Sequence, residues 1–323
     1  MKRRSIYVYT PSEGPVNAPL IGVVGPTASG KTDLALALSD RLPVEIVVAD
    51  SRQVYRGMDV GTAKAGAAAR RRVPHHLVDV VDPDEPFTAA DWVERARAVV
   101  ADVAGRGRLP LLVGGTGLYV AALVDGHDYA SQPWSPEIRR RLTDEIEADG
   151  LDALVARLDA VDPAAAAAID LRNPRRVLRA LERVEAGGGG ATPRATPYAG
   201  RVVLLGLDRP RDVLYRRIDE RAAWLFANGL LDEVRRLRDD GFGPELHPMT
   251  GHGYAEAAAH LAGEWTLEQA VVVTARRTRQ YAKRQLTWFR RDPRLLWIPA
   301  GDRPGDDPEI VDRAERMLRA ALS

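Results

Sequence analysis

Residues Gly25 to Thr32 read GPTASGKT, which fits the phosphate-loop pattern G-x-x-x-x-G-K-[ST]. No other stretch constrains the fold as strongly, because the pattern works in only one setting. A buried strand must lead into it and a helix must leave it, so that backbone N–H groups and the positive helix end converge on an anion. Both flanks are present: PLIGVVGPT is a short apolar run ending in a glycine turn, and DLALALSDRL has helical periodicity. Lys31 is then expected to reach the terminal phosphates and the Thr32 hydroxyl to bind Mg²⁺. Pro26, Thr27, Ala28, Ser29 and Gly30 form the rest of the cradle. The motif alone calls for a phosphate chain, and it leaves open whether that chain belongs to a nucleoside triphosphate or to another pyrophosphate.

Further strands alternate with helices. VEIVVADSRQVY is a second β-branched run ending at Asp50, AADWVERARAVVADVAGRGR an amphipathic helix, and LPLLVGGTGLYVAALV a third strand turning at Gly114-Gly115 into a helix. RVVLLGLDR, from Arg201 to Arg209, and LLWIPA complete the strand candidates. This alternation predicts an α/β fold, a P-loop NTPase-like core whose parallel sheet is flanked by helices. Residues 126 to 200 show no strand pattern. SPEIRRRLTDEIEADG opens with a Ser-Pro start signal and NPRRVLRALERVEAG with an Asn-Pro one. An all-helical insertion is expected at 127–199, closed by the flexible connector AGGGGATPRATPYAG. The core then comprises 19–126 and 200–323, and residues 1–18 form a flexible extension.

Composition narrows the function classes. With 45 % hydrophobic and 28 % charged residues, the 323-residue chain has the balance of a soluble globular protein. A formal charge of +1 means that any nucleic-acid surface must come from local clustering. The absence of cysteine excludes disulfides, thiol nucleophiles and thiolate metal sites. MKRRSIYVYTPSEGPVNAP lacks an apolar signal region, and no apolar run approaches the roughly 20 residues of a membrane span. A soluble, cytoplasmic protein without membrane contact is expected.

A nucleotide-hydrolysing P-loop protein also needs an acid ending a second buried strand. The third strand ends instead in glycines and Thr116, so Asp50 is the better candidate. Asp50 reads as a metal ligand, as a general base beside the phosphates, or as an Asx cap of the turn that follows. The polar loop from Ser51 to Lys64 is long for an idle connection, and Arg56 and Lys64 read either as anion contacts or as solvated charges. His75 and His76 are adjacent, project differently and lack a third ligand at suitable spacing, so they read as structural or loop residues rather than a metal site. Arg217 and Arg221 share a helix face and either reach the phosphate site or pair with Asp219 and Glu220. Two basic faces stand out. Arg172, Arg175, Arg176, Arg179 and Arg183 recur at helical spacing in the insertion. TARRTRQYAKRQLTWFRR carries no acid from Arg276 to Arg291 and interleaves Tyr281, Trp288 and Phe289. Either face reads as a solvated helix side or as a contact for an RNA or DNA backbone.

At this point the segments GPTASGKTDLA, ADSRQVYRGMDVGTAK, PHHLVDVVDP, LLVGGTGLYVAAL, NPRRVLRALE, RIDERAAWLFANGLLDEV, GHGYAEA and TRQYAKRQLTWFRRDP resemble, in order, the bacterial tRNA isopentenyltransferase (tRNA dimethylallyltransferase) family, from about Leu20 to Pro299. The resemblance implies transfer of a dimethylallyl group from dimethylallyl diphosphate to N6 of the adenosine just 3′ of the tRNA anticodon, with Mg²⁺ assisting and pyrophosphate leaving. It implies that Gly25 to Thr32, with Arg217, hold the diphosphate and that Thr32 sits on the metal. Lys31 and Arg221 would neutralise the leaving group, Asp50 would accept the N6 proton, and Thr116 would position the amine or phosphate. The tRNA-contacting positions would be Asp50, Ser51, Arg52 and Gln53; Arg139; Arg175, Arg176, Val177, Leu178 and Arg179; and Thr250, Gly251, His252, Gly253 and Tyr254. The insertion would clamp the anticodon stem-loop of the tRNA partner, and the protein would act as a monomer. Two departures stand out. Gly251 and His252 lie where the family more often carries small or aliphatic residues, and AGGGGATP replaces the usual SGKP-like connector.

Three other readings compete. A relative that prenylates free adenine nucleotide would need neither the insertion nor the basic C-terminal helix. An ATP-dependent small-molecule kinase would need a clear acid-ended second strand. A non-catalytic RNA-binding module would not need Lys31, Thr32 and Asp50 together.

Overall fold

The computed structural model of the chain describes residues 17–126, 135–188 and 196–323. The flexibility expected of the N-terminal extension and of the glycine-rich connector falls mostly on residues 1–16 and 189–195, outside the described residues. By internal contacts the chain divides into two units, Met1–Asp125 with Pro197–Ser323, and Gly126–Thr196.

The larger unit is built on strands β1 (Leu20–Val24), β2 (Val44–Ala49), β3 (His75–His76), β4 (Leu109–Gly114), β5 (Val202–Asp208) and β6 (Leu295–Pro299). They form one parallel sheet in the order β3-β2-β4-β1-β5-β6. Its first half carries α1 (Lys31–Ser39), α2 (Ala67–Arg72), α3 (Ala89–Gly105) and α4 (Gly117–Val124). The smaller unit contains α5 (Pro136–Asp149), α6 (Leu151–Val161), α7 (Pro163–Ala168) and α8 (Pro174–Glu185). The larger unit resumes with α9 (Arg211–Ala227), α10 (Leu230–Asp239), a 3₁₀ turn at His247–Thr250, α11 (Tyr254–Leu261), α12 (Leu267–Phe289) and α13 (Pro308–Leu322).

The strands are apolar on both faces, as a sheet covered by helices requires: every residue of β1 and β2 is buried. Even Glu45, inside β2, is only 3 % exposed. Arg106 and His76 hydrogen-bond its carboxylate, and these contacts hold its pKa down to about 2 against the cost of burial. His76 therefore serves the fold. The two-residue edge strand it belongs to was not foreseen, because two residues carry no periodicity. Trp92 of α3 is fully buried, donates its indole N–H to the Val48 carbonyl (3.0 Å) and stacks on Tyr119 of α4 at 4.6 Å. It braces the sheet directly behind the ends of β2 and β4.

In the smaller unit the Ser-Pro and Asn-Pro signals are N-caps. Ser135 accepts from the Ile138 N–H and Asn173 from the Arg175 N–H, with Pro136 and Pro174 in the first turns. The four helices close on Leu142, Leu154, Leu158, Val177 and Leu181.

Candidate functional site

Strand register assembles the site. Val24 of β1 and Ala49 of β2 both pair with Gly114 of β4, so three parallel strands end side by side. Their exits, Gly25, Asp50 and Gly115-Thr116, therefore meet at one edge, where ligands bind in open α/β sheets. Gly25 N–H donates to the Gly114 carbonyl (3.2 Å). α1 then opens at Lys31 behind Gly30, whose φ of 90° favours glycine and whose backbone lies close to Gly305.

The loop is held by its carbonyls, once from within and twice from α9 and the β5 exit. Pro26 accepts from Lys31 Nζ (3.2 Å), Ala28 from Arg217 Nε (3.1 Å), and Ser29 from the buried Arg209 Nε (2.6 Å). Arg221 donates to the Thr27 hydroxyl (3.3 Å). Ala28 adopts a left-handed φ of 61°, a strained choice for a residue with a Cβ. The open ambiguity over Arg217 and Arg221 is thereby settled: both reach the phosphate loop, while Asp219 pairs with Arg279 and Glu220 with Arg216.

Asp50 takes up the Asx cap among its sequence readings. One carboxylate oxygen accepts from the Arg52 N–H (2.9 Å), an Asx turn, and the same side chain lines the cavity. Thr116 lies beside it. Its hydroxyl accepts from the Ser51 N–H (3.0 Å) and shares a hydrogen bond with the Tyr281 hydroxyl. The cavity holds about 210 Å³. Its polar end is formed by Thr27, Lys31, Asp50, Ser51, Arg52 and Arg221, and Ile218, Ala222 and Leu225 of α9 make it apolar elsewhere. Thr250, Gly251, His252 and Tyr254 complete the wall with Thr274, Thr278, Tyr281 and Gln285. A smaller recess of about 50 Å³ shares Thr27, Lys31, Asp50 and Arg221, and adds Thr32 and Gln53.

Burial dominates the electrostatics. Lys31 is lowered to a pKa of about 8, chiefly by desolvation, with Asp50 opposing the shift and Arg221 reinforcing it. Desolvation likewise lowers Arg221 and Arg52. A buried cationic pocket of this kind favours an anion, which restores what burial removed. His252 is pushed down to about 4, mainly by burial and then by Arg277, and its Nδ1 has no hydrogen-bond partner among the described residues. Tyr281 is pushed up to about 12, by burial first and Asp50 second.

Several expectations change. Arg56 stays an exposed loop charge, as one of its two readings has it, whereas Lys64 is neither an anion contact of the cavity nor a solvated charge. Arg56 pairs with Asp82, and Lys64, 1 % exposed at its side chain, bridges Asp59 of the loop and Asp79 beyond β3. Val177 and Leu178, placed at the tRNA surface by the resemblance, turn their side chains into the core of the smaller unit. The helical period that exposes Arg175 and Arg176 necessarily buries the two residues that follow. In the same unit Arg139 and Arg179 both pair with the buried Glu182. Tyr254 lines the cavity, but its hydroxyl donates to Glu233 (2.6 Å). On α12, Arg277 and Arg279 are spent on Glu256 and Asp219.

Three residues escaped sequence reasoning. Buried Gln285 accepts from the Thr27 N–H (2.9 Å) and donates to the Gly115 carbonyl (2.7 Å), tying α12 to the phosphate loop and to the β4 exit. Arg209 clasps Ser29 from behind. Glu233 of α10, 2 % exposed, accepts from the N–H groups of Asp59 (2.9 Å), Val60 (2.7 Å) and Gly61 (3.0 Å). Each acts across 170 or more positions of the chain, where local pattern carries no signal. Glu233→Ala would strand the buried Tyr254 hydroxyl and three part-buried N–H groups at once, so it is expected to destabilise the protein by about 3 kcal/mol. Chemical denaturation should show the loss, and amide exchange should quicken first at residues 59–64.

The comparisons with known proteins agree with this geometry. Residues 53–292 match the profile of the IPP transferase family. A tRNA dimethylallyltransferase from Syntrophobacter fumaroxidans is 48 % identical over 303 residues, covering 92 % of this chain and 88 % of its own. One from Anaeromyxobacter dehalogenans is 49 % identical over 300 residues, covering 91 % and 98 %. Among solved structures, the full-length tRNA isopentenylpyrophosphate transferase from Bacillus halodurans gives a TM-score of 0.71 at 40 % identity, covering 95 % of this chain and 97 % of its own. A eukaryotic dimethylallyltransferase acting on tRNA gives 0.77 at 25 % identity, covering 95 % and 80 %. On its fold, its site and its sequence together, this chain belongs to the IPP transferase family.

Proposed function

We propose that the protein transfers a dimethylallyl group from dimethylallyl diphosphate to N6 of the adenosine immediately 3′ of the anticodon in tRNA, releasing pyrophosphate. The observation that carries this reading is the shared cavity of Lys31, Arg221 and Asp50, two buried cations and one carboxylate at the mouth of a phosphate loop. A hydrolase of nucleoside triphosphates needs its acid to serve a metal and a water. Prenyl transfer needs a fixed base beside a stabilised leaving group.

The loop from Gly25 to Thr32, with Arg217 behind Ala28, seats the diphosphate. The N6 lone pair attacks C1 of the dimethylallyl group, the C1–O bond breaks, and its electron pair leaves with pyrophosphate. Lys31 and Arg221 meet the negative charge that grows on the departing oxygen. Asp50 takes the N6 proton as the new N–C bond forms. Thr116, bonded to Ser51 and Tyr281, orients the amine beside Asp50. An aromatic amine is a weak nucleophile, so both a positioned base and a neutralised leaving group are needed. The residues also fit Mg²⁺: the Thr32 hydroxyl lines the small recess beside the phosphate loop, and this cation takes few protein oxygens while drawing the rest from phosphate and water. When bound, it would add positive charge at the diphosphate.

The smaller unit is assigned to the anticodon stem-loop, through the exposed Arg175 and Arg176. Arg52, Gln53 and residues 250–254 would line the path of the extruded adenine, whose unstacking costs a few kcal/mol. No helix among the described residues is long and apolar enough to cross a membrane. With tRNA as acceptor, the site of action is the cytoplasm.

The test is to supply labelled dimethylallyl diphosphate and Mg²⁺ with either tRNA or AMP and follow the label. Label in tRNA alone is the expected result. Label in AMP alone would identify a nucleotide prenyltransferase, and ATP hydrolysis without label in either would overturn the assignment. Arg176→Ala is expected to weaken tRNA binding several-fold at low salt and to reduce the salt slope by about 1, with diphosphate affinity unchanged. Filter binding over a salt series measures both.

A further inference from the structure

α12 delivers Thr274, Thr278, Tyr281 and Gln285 to the cavity wall in steps of four, three and four residues, which is one helix face. The next position on that face is Trp288, about 10 Å beyond Tyr281 along the helix axis. Its indole stays 44 % exposed. One ring edge packs on Gly117, where any Cβ would collide with the indole, and Leu118, 41 % exposed, follows in the chain. Gly117 in turn follows Thr116, which holds the Ser51 N–H beside Asp50. The exposed aromatic surface thus begins where the cavity wall ends.

Its surroundings are cationic. Arg284 lies one turn before Trp288 and Arg291 three residues after it, both exposed, and no acid falls between Arg276 and Arg291. A large apolar side chain left in solvent within a basic rim marks a binding surface, and an indole flanked by guanidinium groups suits a nucleobase and its phosphates better than it suits protein.

We propose that Trp288 is a stacking platform for the base of a nucleotide adjoining the acceptor adenosine, with Arg284 and Arg291 meeting the neighbouring phosphates. This rests on the reading above, in which an RNA strand carries the acceptor. When the acceptor base leaves its stack, each neighbour loses a stacking partner; an aromatic face returns one and holds the strand open. Stacking tolerates any base, so Trp288 contributes affinity and register, and the sequence preference arises elsewhere.

The test is a double-mutant cycle between Trp288→Ala and anticodon stem-loop RNAs made abasic at either neighbour of the acceptor. Trp288→Ala should weaken binding of the intact RNA by about 5- to 100-fold. On the RNA lacking the stacked base it should cost almost nothing further, and the KM for the diphosphate should not move. Trp288→Phe should recover most of the affinity. Should the alanine variant fold poorly, Trp288→Leu fills the contact with Gly117 without offering an aromatic face and should show the same coupling. Equal losses on the intact RNA and on both abasic RNAs would overturn the platform while leaving the function intact. A wild-type protein that transfers no label to intact RNA would overturn the functional reading instead.

Discussion

Asp50→Asn is expected to lower the single-turnover rate of dimethylallyl transfer by about 10²- to 10⁴-fold, the range a positioned general base supplies. Binding of tRNA and of the diphosphate should change little, because Asn is nearly the same shape. Its side-chain oxygen can still accept from the Arg52 N–H, so the Asx turn that leads out of β2 survives. What the amide cannot do is take a proton. Rapid-quench measurement with enzyme in excess separates the chemical step from product release. A rate within threefold of wild type would remove Asp50 from the base role and return it to the turn.

Lys31→Ala should act on the other half of the reaction, lowering kcat/KM for the diphosphate by about 10²- to 10³-fold through loss of a buried charge at the leaving group. The wild-type pH profile carries the sign. Burial has lowered Lys31 to about 8, so the free protein holds its charge below that pH and loses it above. Accordingly kcat/KM for the diphosphate should fall as pH rises through about 8. A bound diphosphate favours the protonated amine and raises its pKa again, so kcat should stay level over the same interval. Lys31→Arg keeps its charge at any working pH and should lose that limb of the profile, whatever its absolute rate. A limb unchanged in Lys31→Arg would assign the titration to another group.

How much of this could be read from residues in order depends on the range of the interaction. The strand-loop-helix setting of Gly25–Thr32 is local, and β1, the loop and α1 stand where period and turn chemistry place them. The same holds for the Ser135 and Asn173 caps. Edge strand β3 escaped because two residues cannot show alternation. Lys64 departs from both of its readings because a basic side chain in a polar loop looks alike whether it faces water or is enclosed between two aspartates. Val177 and Leu178 show the opposite fault: a contiguous stretch was carried over whole, although a helix sends its neighbours to different sides.

The order of residues was sufficient for the chemistry on offer. A phosphate loop, a carboxylate at the end of the next buried strand and paired arginines on one helix face are each short-range patterns with a physical reason. Their convergence was decided elsewhere. Parallel register sets Gly25, Asp50 and Thr116 side by side, and α9 and α12 return from late in the chain to bring Arg221 onto Thr27 and Gln285 between Thr27 and Gly115. Those bonds join positions separated by 170 to 258 residues, and only packing of the sheet and its helices brings them within 3.3 Å. Local sequence therefore names the groups, whereas burial and long-range contact set their distances, the charge state of Lys31 and the side of the cavity each one faces.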